Sequence, residues 1–173
     1  MAQFGFRGFI ASAAGIGLTI GMSASALADD CSRFNEARDA YLGATAAGMT
    51  RALDQMAQQR QIPVDVAAFY WGGTLLQAED PRSLDSLAQL TLASYGWPGN
   101  ANRAETTMTR IADEHGSASA ALFAGLMFSD QRGTRDSYRA RAYLVQAARQ
   151  GNRDATAFLP MYDACYARNI ALN

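Results

Sequence analysis

The chain has 173 residues, of which 49% are hydrophobic and 18% are charged, and its formal net charge is −1 at pH 7. This length is typical of one domain. The balanced charge gives no electrostatic argument for binding nucleic acid. All fifteen basic residues are arginine, which a GC-rich genome explains more simply than selection for a planar cation that binds carboxylates and phosphates.

The first 28 residues have the three parts of a secretory signal peptide. Arg7 precedes an uncharged, mainly apolar run over residues 8–27, and small residues at Ala26 and Ala28 mark a cleavage site. The competing interpretation is a transmembrane anchor, because about 20 apolar residues can cross a bilayer, but glycines and serines interrupt this run. We therefore expect cleavage after Ala28, export to the periplasm or the exterior, and one domain over residues 29–173 that is not inserted in the membrane.

The two cysteines, Cys31 and Cys165, lie near opposite ends of the remaining chain. An even number of cysteines in an exported protein favours a disulfide bond. The alternative is a catalytic thiol, which needs a base nearby, and the chain has a single histidine. Lipidation of Cys31 is not expected, because Asp29 and Asp30 stand where a lipoprotein signal has small residues. We predict a structural bridge between the two cysteines.

The periodicity of the apolar residues predicts an all-α fold of six or seven helices. From Ser117 onward, small or apolar residues recur three and four positions apart, as on one face of a helix: Ala118, Ala121, Leu122, Gly125 and Leu126. No stretch of similar length alternates with period two. In chain order, helices are expected over about 32–60, 63–77, 81–95, 99–116, 117–130, 136–151 and 154–164.

Two glycines, Gly116 and Gly151, mark helix ends that are 35 residues apart. Each is followed by a residue that can cap the next helix, Ser117 or Asn152. Between them, residues 130–135 include a glycine and are typical of the turn that joins two antiparallel helices. A period of this length, built from two helices, is typical of stacked helical repeats.

Residues 117–151 resemble a Sel1-like repeat, a relative of the tetratricopeptide repeat. In that family, a small-residue helix leads through a glycine turn to an acidic and aromatic start, an alanine, an aromatic residue and a final Ala-Ala-x-x-Gly. The matching positions here are Gly133, Asp136, Tyr138, Ala140, Tyr143, Leu144, Ala147, Ala148 and Gly151. Partial copies extend the resemblance over about residues 83–162, with Pro160 expected to kink or shorten the last helix. The resemblance implies a short α-solenoid of antiparallel helix pairs.

The small residues of the repeat have a structural interpretation. At Gly125, Ala140 and Ala147 they would let neighbouring helices approach closely. The larger Leu122 and Leu144 would fill the space between those helices. These positions maintain a scaffold and carry no chemistry.

The remaining polar residues do not form a catalytic or metal-binding pattern. His115 is the only histidine, and beside Gly116 at a predicted helix end it is better placed to cap that helix than to act as a base. Two cysteines cannot form a four-cysteine metal site, and adjacent carboxylates such as Asp113 and Glu114 are typical of solvated surface. We therefore predict no enzyme activity, catalytic residue, metal or cofactor.

Five side chains are candidates for contact with a partner. They are Arg132, Arg135 and Arg139 in an arginine-rich part of the repeat, and the two tryptophans, Trp71 and Trp97. Arg135 and Arg139 share a helical face that would suit an acidic peptide or an anionic envelope component, although a solvated face with local ion pairs is the plainer interpretation. Tryptophan is a common contact anchor, but the spacing of Trp71 also fits the core.

Sel1-like proteins as a family act as adaptors in envelope assembly, secretion and signalling. The resemblance therefore implies a periplasmic protein–protein interaction module whose partner is another protein or peptide of the envelope. The alternative is a small inhibitor or immunity-type protein that blocks an enzyme through a loop such as residues 94–102, with Trp97 at its tip. A third hypothesis, an envelope hydrolase, needs a polar cleft that the sequence does not indicate.

Overall fold

The computed structural model describes residues 24–78, 80–130 and 136–170, with side chains from Cys31 to Tyr166 within those ranges. The regular elements of these residues are all α-helices, so the all-α prediction is confirmed. The seven helices are α1 (Ala24–Arg60), α2 (Val64–Ala78), α3 (Pro81–Tyr95), α4 (Ala101–His115), α5 (Ala118–Phe128), α6 (Ser137–Arg149) and α7 (Arg153–Ile170). Across this part of the chain, no helix combines the length and the apolar character that crossing a bilayer requires.

The first helix is longer than predicted. α1 begins at Ala24, ahead of the expected start at Ser32. The expected cleavage position after Ala28 lies inside this helix. The remainder of the expected signal peptide, residues 1–23, lies outside the described residues.

The last helix is also longer than predicted, because Pro160 does not end it. α7 continues through Pro160 to Ile170. The proline lacks the N–H that would bond to the carbonyl of Thr156. Both residues are exposed, so water can satisfy that carbonyl and the helix can continue. The predicted turn before α6 falls largely on residues 131–135, which lie outside the described residues.

Side-chain caps explain where α3, α5 and α6 begin. The Asp80 carboxylate accepts hydrogen bonds from the backbone N–H groups of Arg82 and Ser83 at 3.0 and 3.1 Å, and from the Ser83 hydroxyl at 2.6 Å. These bonds, the hydroxyl bond first, hold the pKa of Asp80 below its usual value. Ser117 and Asp136 accept in the same way from N–H groups in the first turns of α5 and α6.

The two predicted helix-ending glycines adopt the left-handed conformation. Gly116 has φ of 63° and Gly151 has φ of 86°, which glycine adopts without the steric cost that a Cβ atom imposes. His115 is the last residue of α4 and is exposed. After Gly151, the Asn152 side chain accepts from the N–H of Ala155 at 2.9 Å and so caps α7.

Helices α2 to α7 pack in chain order, each against the next, and the long α1 lies across them. α1 packs on α2, α3, α5 and α7, and within the described residues it makes no comparable contact with α4 or α6. Its buried residues follow one stripe at helical spacing: Phe34, Arg38, Leu42, Met49, Leu53 and Ala57. α1 therefore covers the alternate helices α3, α5 and α7.

The centre of the core is α5, which is buried along its length from Ala120 to Phe128. Its contact with α6 is close at Gly125. A Cβ atom added there would lie 2.8 Å from the Leu144 Cγ atom and 3.0 Å from the Ala140 carbonyl oxygen. Ala140 and Ala147 on α6 are fully buried. Gly125 and Ala140 of the predicted repeat therefore stand where α5 and α6 come into backbone contact.

The two ends of the described chain are joined where α1 meets α7. Cys31 and Cys165 form a disulfide bond, with their Cα atoms 4.7 Å apart, as predicted. Farther along α1, the Tyr41 hydroxyl donates a hydrogen bond to the Asp154 carboxylate at 2.7 Å. An aromatic cluster packs between the two helices and consists of Phe34, Tyr41, Phe158, Tyr162 and Tyr166.

A buried arginine joins α1 to the end of α5. Arg38 is 6% exposed, and its Nη1 atom donates to the Ser129 carbonyl oxygen at 2.8 Å. Its Nε atom contacts the Asp39 carboxylate at 2.9 Å. A cation at this place is favourable because the carbonyl end of a helix carries partial negative charge.

Candidate functional site

A groove of about 780 Å³ opens between α2, α3 and α4. Its floor is α3, which contributes Leu87, Leu90, Thr91 and Ser94. One wall is α2, which contributes Asp65, Val66, Ala68, Phe69, Gly72, Gly73 and Leu76. The other wall is α4 with the turn before it, which contributes Trp97, Pro98, Asn100, Arg103, Ala104 and Arg110. Most of these lining side chains are apolar, so the groove suits an apolar surface of another molecule.

Helix α2 is apolar on more sides than its packing can cover. Ala67 is its one buried residue among those described. Phe69 is 78% exposed, Tyr70 55% and Val66 46%. An ordinary surface helix has one apolar stripe that faces the core and a polar face outside. The exposed apolar side chains of α2 therefore form a patch of the kind that is frequent at interaction sites.

Two glycines on α2, Gly72 and Gly73, place no side chain on this wall of the groove. A Cβ atom added to Gly72 would make ordinary contacts with Leu90 and Leu87 of α3, at 3.5 and 3.7 Å. One added to Gly73 would have no atom within 4 Å. The backbone of α2 is therefore accessible from the groove at Gly73.

Trp97 lies in the turn between α3 and α4 and lines the groove. The backbone N–H of Trp97 donates to Ser94, and the Asn100 side chain donates to the same carbonyl oxygen at 2.8 Å. Trp97 is half-buried and packs against the core. It lines the groove and does not stand at the tip of a projecting loop. Trp71 is also half-buried against the core, but it does not line the groove.

The charges at the groove are uneven. Asp65 is the one carboxylate among the lining residues, and Arg103 and Arg110 are the two cations. Within the described part of the chain, no salt bridge joins Asp65 to either arginine. The α4 wall is therefore positively charged.

Side chains from α6 form hydrogen bonds to the C-terminal part of α4. The Tyr143 hydroxyl donates to the Asp113 carboxylate at 2.8 Å, and the Gln146 amide donates to the Ala112 carbonyl oxygen at 3.2 Å. Burial, together with the bond to Asp113, raises the pKa of Tyr143. The described residues contain no such hydrogen bond between α2 and α4. Hydrogen bonds therefore join α6 to α4, whereas the groove between α2 and α4 is open.

The arginine candidates from the sequence are not brought together by the described residues. Arg139 is exposed, and its guanidinium lies 4.0 Å from the centre of the Phe128 ring. Arg132 and Arg135 lie outside the described residues. Nearby Arg141 forms two hydrogen bonds to Asp163, at 2.7 and 3.0 Å. These local contacts match the plainer interpretation of a solvated face for Arg139 and Arg141.

Sequence reasoning missed Phe69, Arg103 and Arg110. A signal for Phe69 was present, because residues 64–78 have apolar side chains on every helical face. No comparable signal identifies the two arginines, since their place in the groove depends on α2 and α4 flanking α3. The described residues contain no group of three histidines, cysteines or carboxylates arranged to hold a metal ion.

Comparison of the chain with protein-family models, with curated protein sequences and with solved structures gives no match.

Proposed function

We propose that this chain is an exported protein-binding module, built as a short α-solenoid on Sel1-like repeats, and that its partner binds the groove between α2, α3 and α4. The disulfide bond supports export, since such bonds persist in oxidising compartments. The helix ends at Gly116 and Gly151 support the repeat. The close approach at Gly125 supports it further, because a small residue stands there between paired helices.

The observation that carries the proposal is the exposure of Phe69. It is 78% exposed and stands on the wall of an apolar groove. A large aromatic side chain beside a pocket is typical of an interface anchor. The exposed Val66 and Tyr70 on the same helix extend the apolar surface.

The long α1 explains why the partner is assigned to this groove. Solenoid proteins commonly bind partners on a concave face lined by alternate helices. Here α1 packs on the alternate helices α3, α5 and α7, so in the proposed solenoid the chain itself would fill that position. The groove above α3 then remains as an open apolar surface on which a partner can bind.

Photo-cross-linking tests the proposal directly. We replace Phe69 with p-benzoylphenylalanine in the full chain, expressed in its native host, and expect one discrete cross-linked envelope protein. The matched control carries the same group at Tyr138, another aromatic residue that is 73% exposed but lies on α6, and should give no such adduct. Phe69→Asp should reduce recovery of the partner about thirtyfold, because an aromatic anchor contributes about 2 kcal/mol.

Equal cross-linking from both positions, or none from position 69, would contradict the proposal. Capture of an enzyme whose activity the protein suppresses would instead favour the inhibitor or immunity-type alternative. Phe69→Asp should leave stability within about 0.5 kcal/mol of the native value, because the side chain is mainly in water. A thermal melt of the variant separates lost binding from lost folding.

Processing provides a separate test of export. We expect the protein recovered by osmotic shock to begin at Asp29 and to carry no lipid on Cys31. Intact-mass spectrometry measures both properties, since removal of residues 1–28 and addition of an acyl chain change the mass in opposite directions. A mass that retains residues 1–28 would contradict cleavage, and a lipid adduct would contradict the disulfide as well.

A further inference from the structure

The α4 wall of the groove carries two arginines that have no salt-bridge partner among the described residues. Arg103 and Arg110 are both exposed and both line the groove. They are seven positions apart, which is two helical turns, or about 10 Å along α4. A partner that covers the apolar floor would bring its own side chains close to these two guanidinium groups. Carboxylates at a similar spacing would pair with them.

The α2 wall favours a helix as the partner. A Cβ atom at Gly73 would meet no other atom within 4 Å, so the α2 backbone can be reached there. Small residues let two helix backbones come close, as Gly125 does for α5 and α6. The part of the α4 wall from the N-cap residue Asn100 to Arg110 spans about three helical turns. This length matches a short helix lying in the groove.

We infer that the groove takes an amphipathic helix of a partner protein whose apolar face covers Phe69 and Leu90 and whose flanking carboxylates pair with Arg103 and Arg110. The inference rests on the proposed function and names the chemistry of the partner. The contrast with the hydrogen bonds between α6 and α4 supports it. There Tyr143 of α6 reaches Asp113 of α4, whereas the partner helix would supply the missing bridges on the α2 side.

Peptide display tests the chemistry of the partner. The probe is a phage library of 16-residue helical peptides, with the positions of one face and its two borders randomised, selected against the disulfide-bonded protein from residue 29 onward. We expect enrichment of leucine, isoleucine and phenylalanine on the face. We also expect aspartate or glutamate at two border positions about seven apart.

Two sets of variants separate charge from shape. The double variant Arg103→Glu, Arg110→Glu should weaken the selected acidic peptide at least tenfold and should itself select lysine or arginine at the same border positions. Gly73→Leu keeps both arginines but fills the α2 side of the groove, and it should also weaken the peptide at least tenfold. Thermal melts should show that neither variant is less stable than the native protein, since these positions are exposed, and Gly73→Leu should gain some stability from helix propensity.

The possible outcomes distinguish failure of the inference from failure of the proposed function. Apolar peptides without acidic preference, bound equally by the double variant, would contradict the inference while leaving the groove as a binding site. If no peptide is enriched in a way that depends on Phe69, the result would contradict both the inference and the proposed function. Concentration-dependent dimers in sedimentation, abolished by Phe69→Asp, would also overturn the inference, because the occupant would be a second copy of the chain.

Discussion

Replacing Cys31 and Cys165 together with alanine should lower the free energy of unfolding by about 2–5 kcal/mol. The bond closes a loop with a sequence separation of 134 residues, and long loops lose the most entropy in the unfolded chain when they are closed. The bond also fixes the start of α1 against α7. Because α1 covers α3 and α5 as well, a loosened start exposes apolar surface beyond the bond itself.

Urea unfolding of the oxidised protein and of the double variant measures the effect. Reduction of the native protein serves as the control, since it should cause a fall similar to that of the variant. In a domain of this size, each kcal/mol corresponds to about 2–4 °C in Tm. Equal midpoints for the oxidised and the variant protein would show that α1 stays in place without the bond. The aromatic contacts of Phe34 with Tyr162 and Tyr166 would then be sufficient to hold it.

Much of the fold was predictable because its determinants are local. Helix starts depend on capping side chains such as Asp80, Ser117 and Asp136, and helix ends depend on glycines that tolerate positive φ. These residues are recognisable within a window of a few positions. Pro160 is the exception, because whether a proline ends a helix depends on whether the freed carbonyl can reach water. That condition is set by exposure in the folded chain and not by the local sequence.

The position of α1 and the groove were not predictable in the same way. The apolar stripe of α1 predicts that one face of the helix is buried, but it does not predict that this face packs on α3, α5 and α7. Arg38 would be placed on a polar face by sequence alone, yet it is buried against the end of α5. The groove likewise depends on α2 and α4 standing apart on either side of α3. Such long-range arrangements leave no fixed spacing in the sequence.

The close approach of α5 and α6 makes Gly125 the most constrained glycine described. Alanine there should lower the free energy of unfolding by about 1–3 kcal/mol, although alanine favours a helix over glycine by about 1 kcal/mol. The added Cβ atom would lie 2.8 Å from the Leu144 side chain and 3.0 Å from two backbone atoms, the Ala140 oxygen and the Leu144 nitrogen. A side chain can rotate away, but the backbone of α6 can move only by shifting the whole helix.

Gly48→Ala provides the matched control, because Gly48 lies inside α1 and a Cβ atom there meets nothing within 4 Å. This variant should gain about 0.5–1 kcal/mol from helix propensity alone. Both substitutions replace glycine with alanine inside a helix. If urea unfolding shows that the free energy of unfolding falls for Gly125→Ala and rises for Gly48→Ala, the loss is due to the contact between α5 and α6 and not to helix propensity. If both variants gained stability equally, α5 and α6 would not be in backbone contact at Gly125. The physical reason for a small residue at this position of the proposed repeat would then be lost, and with it a main support for the proposed solenoid.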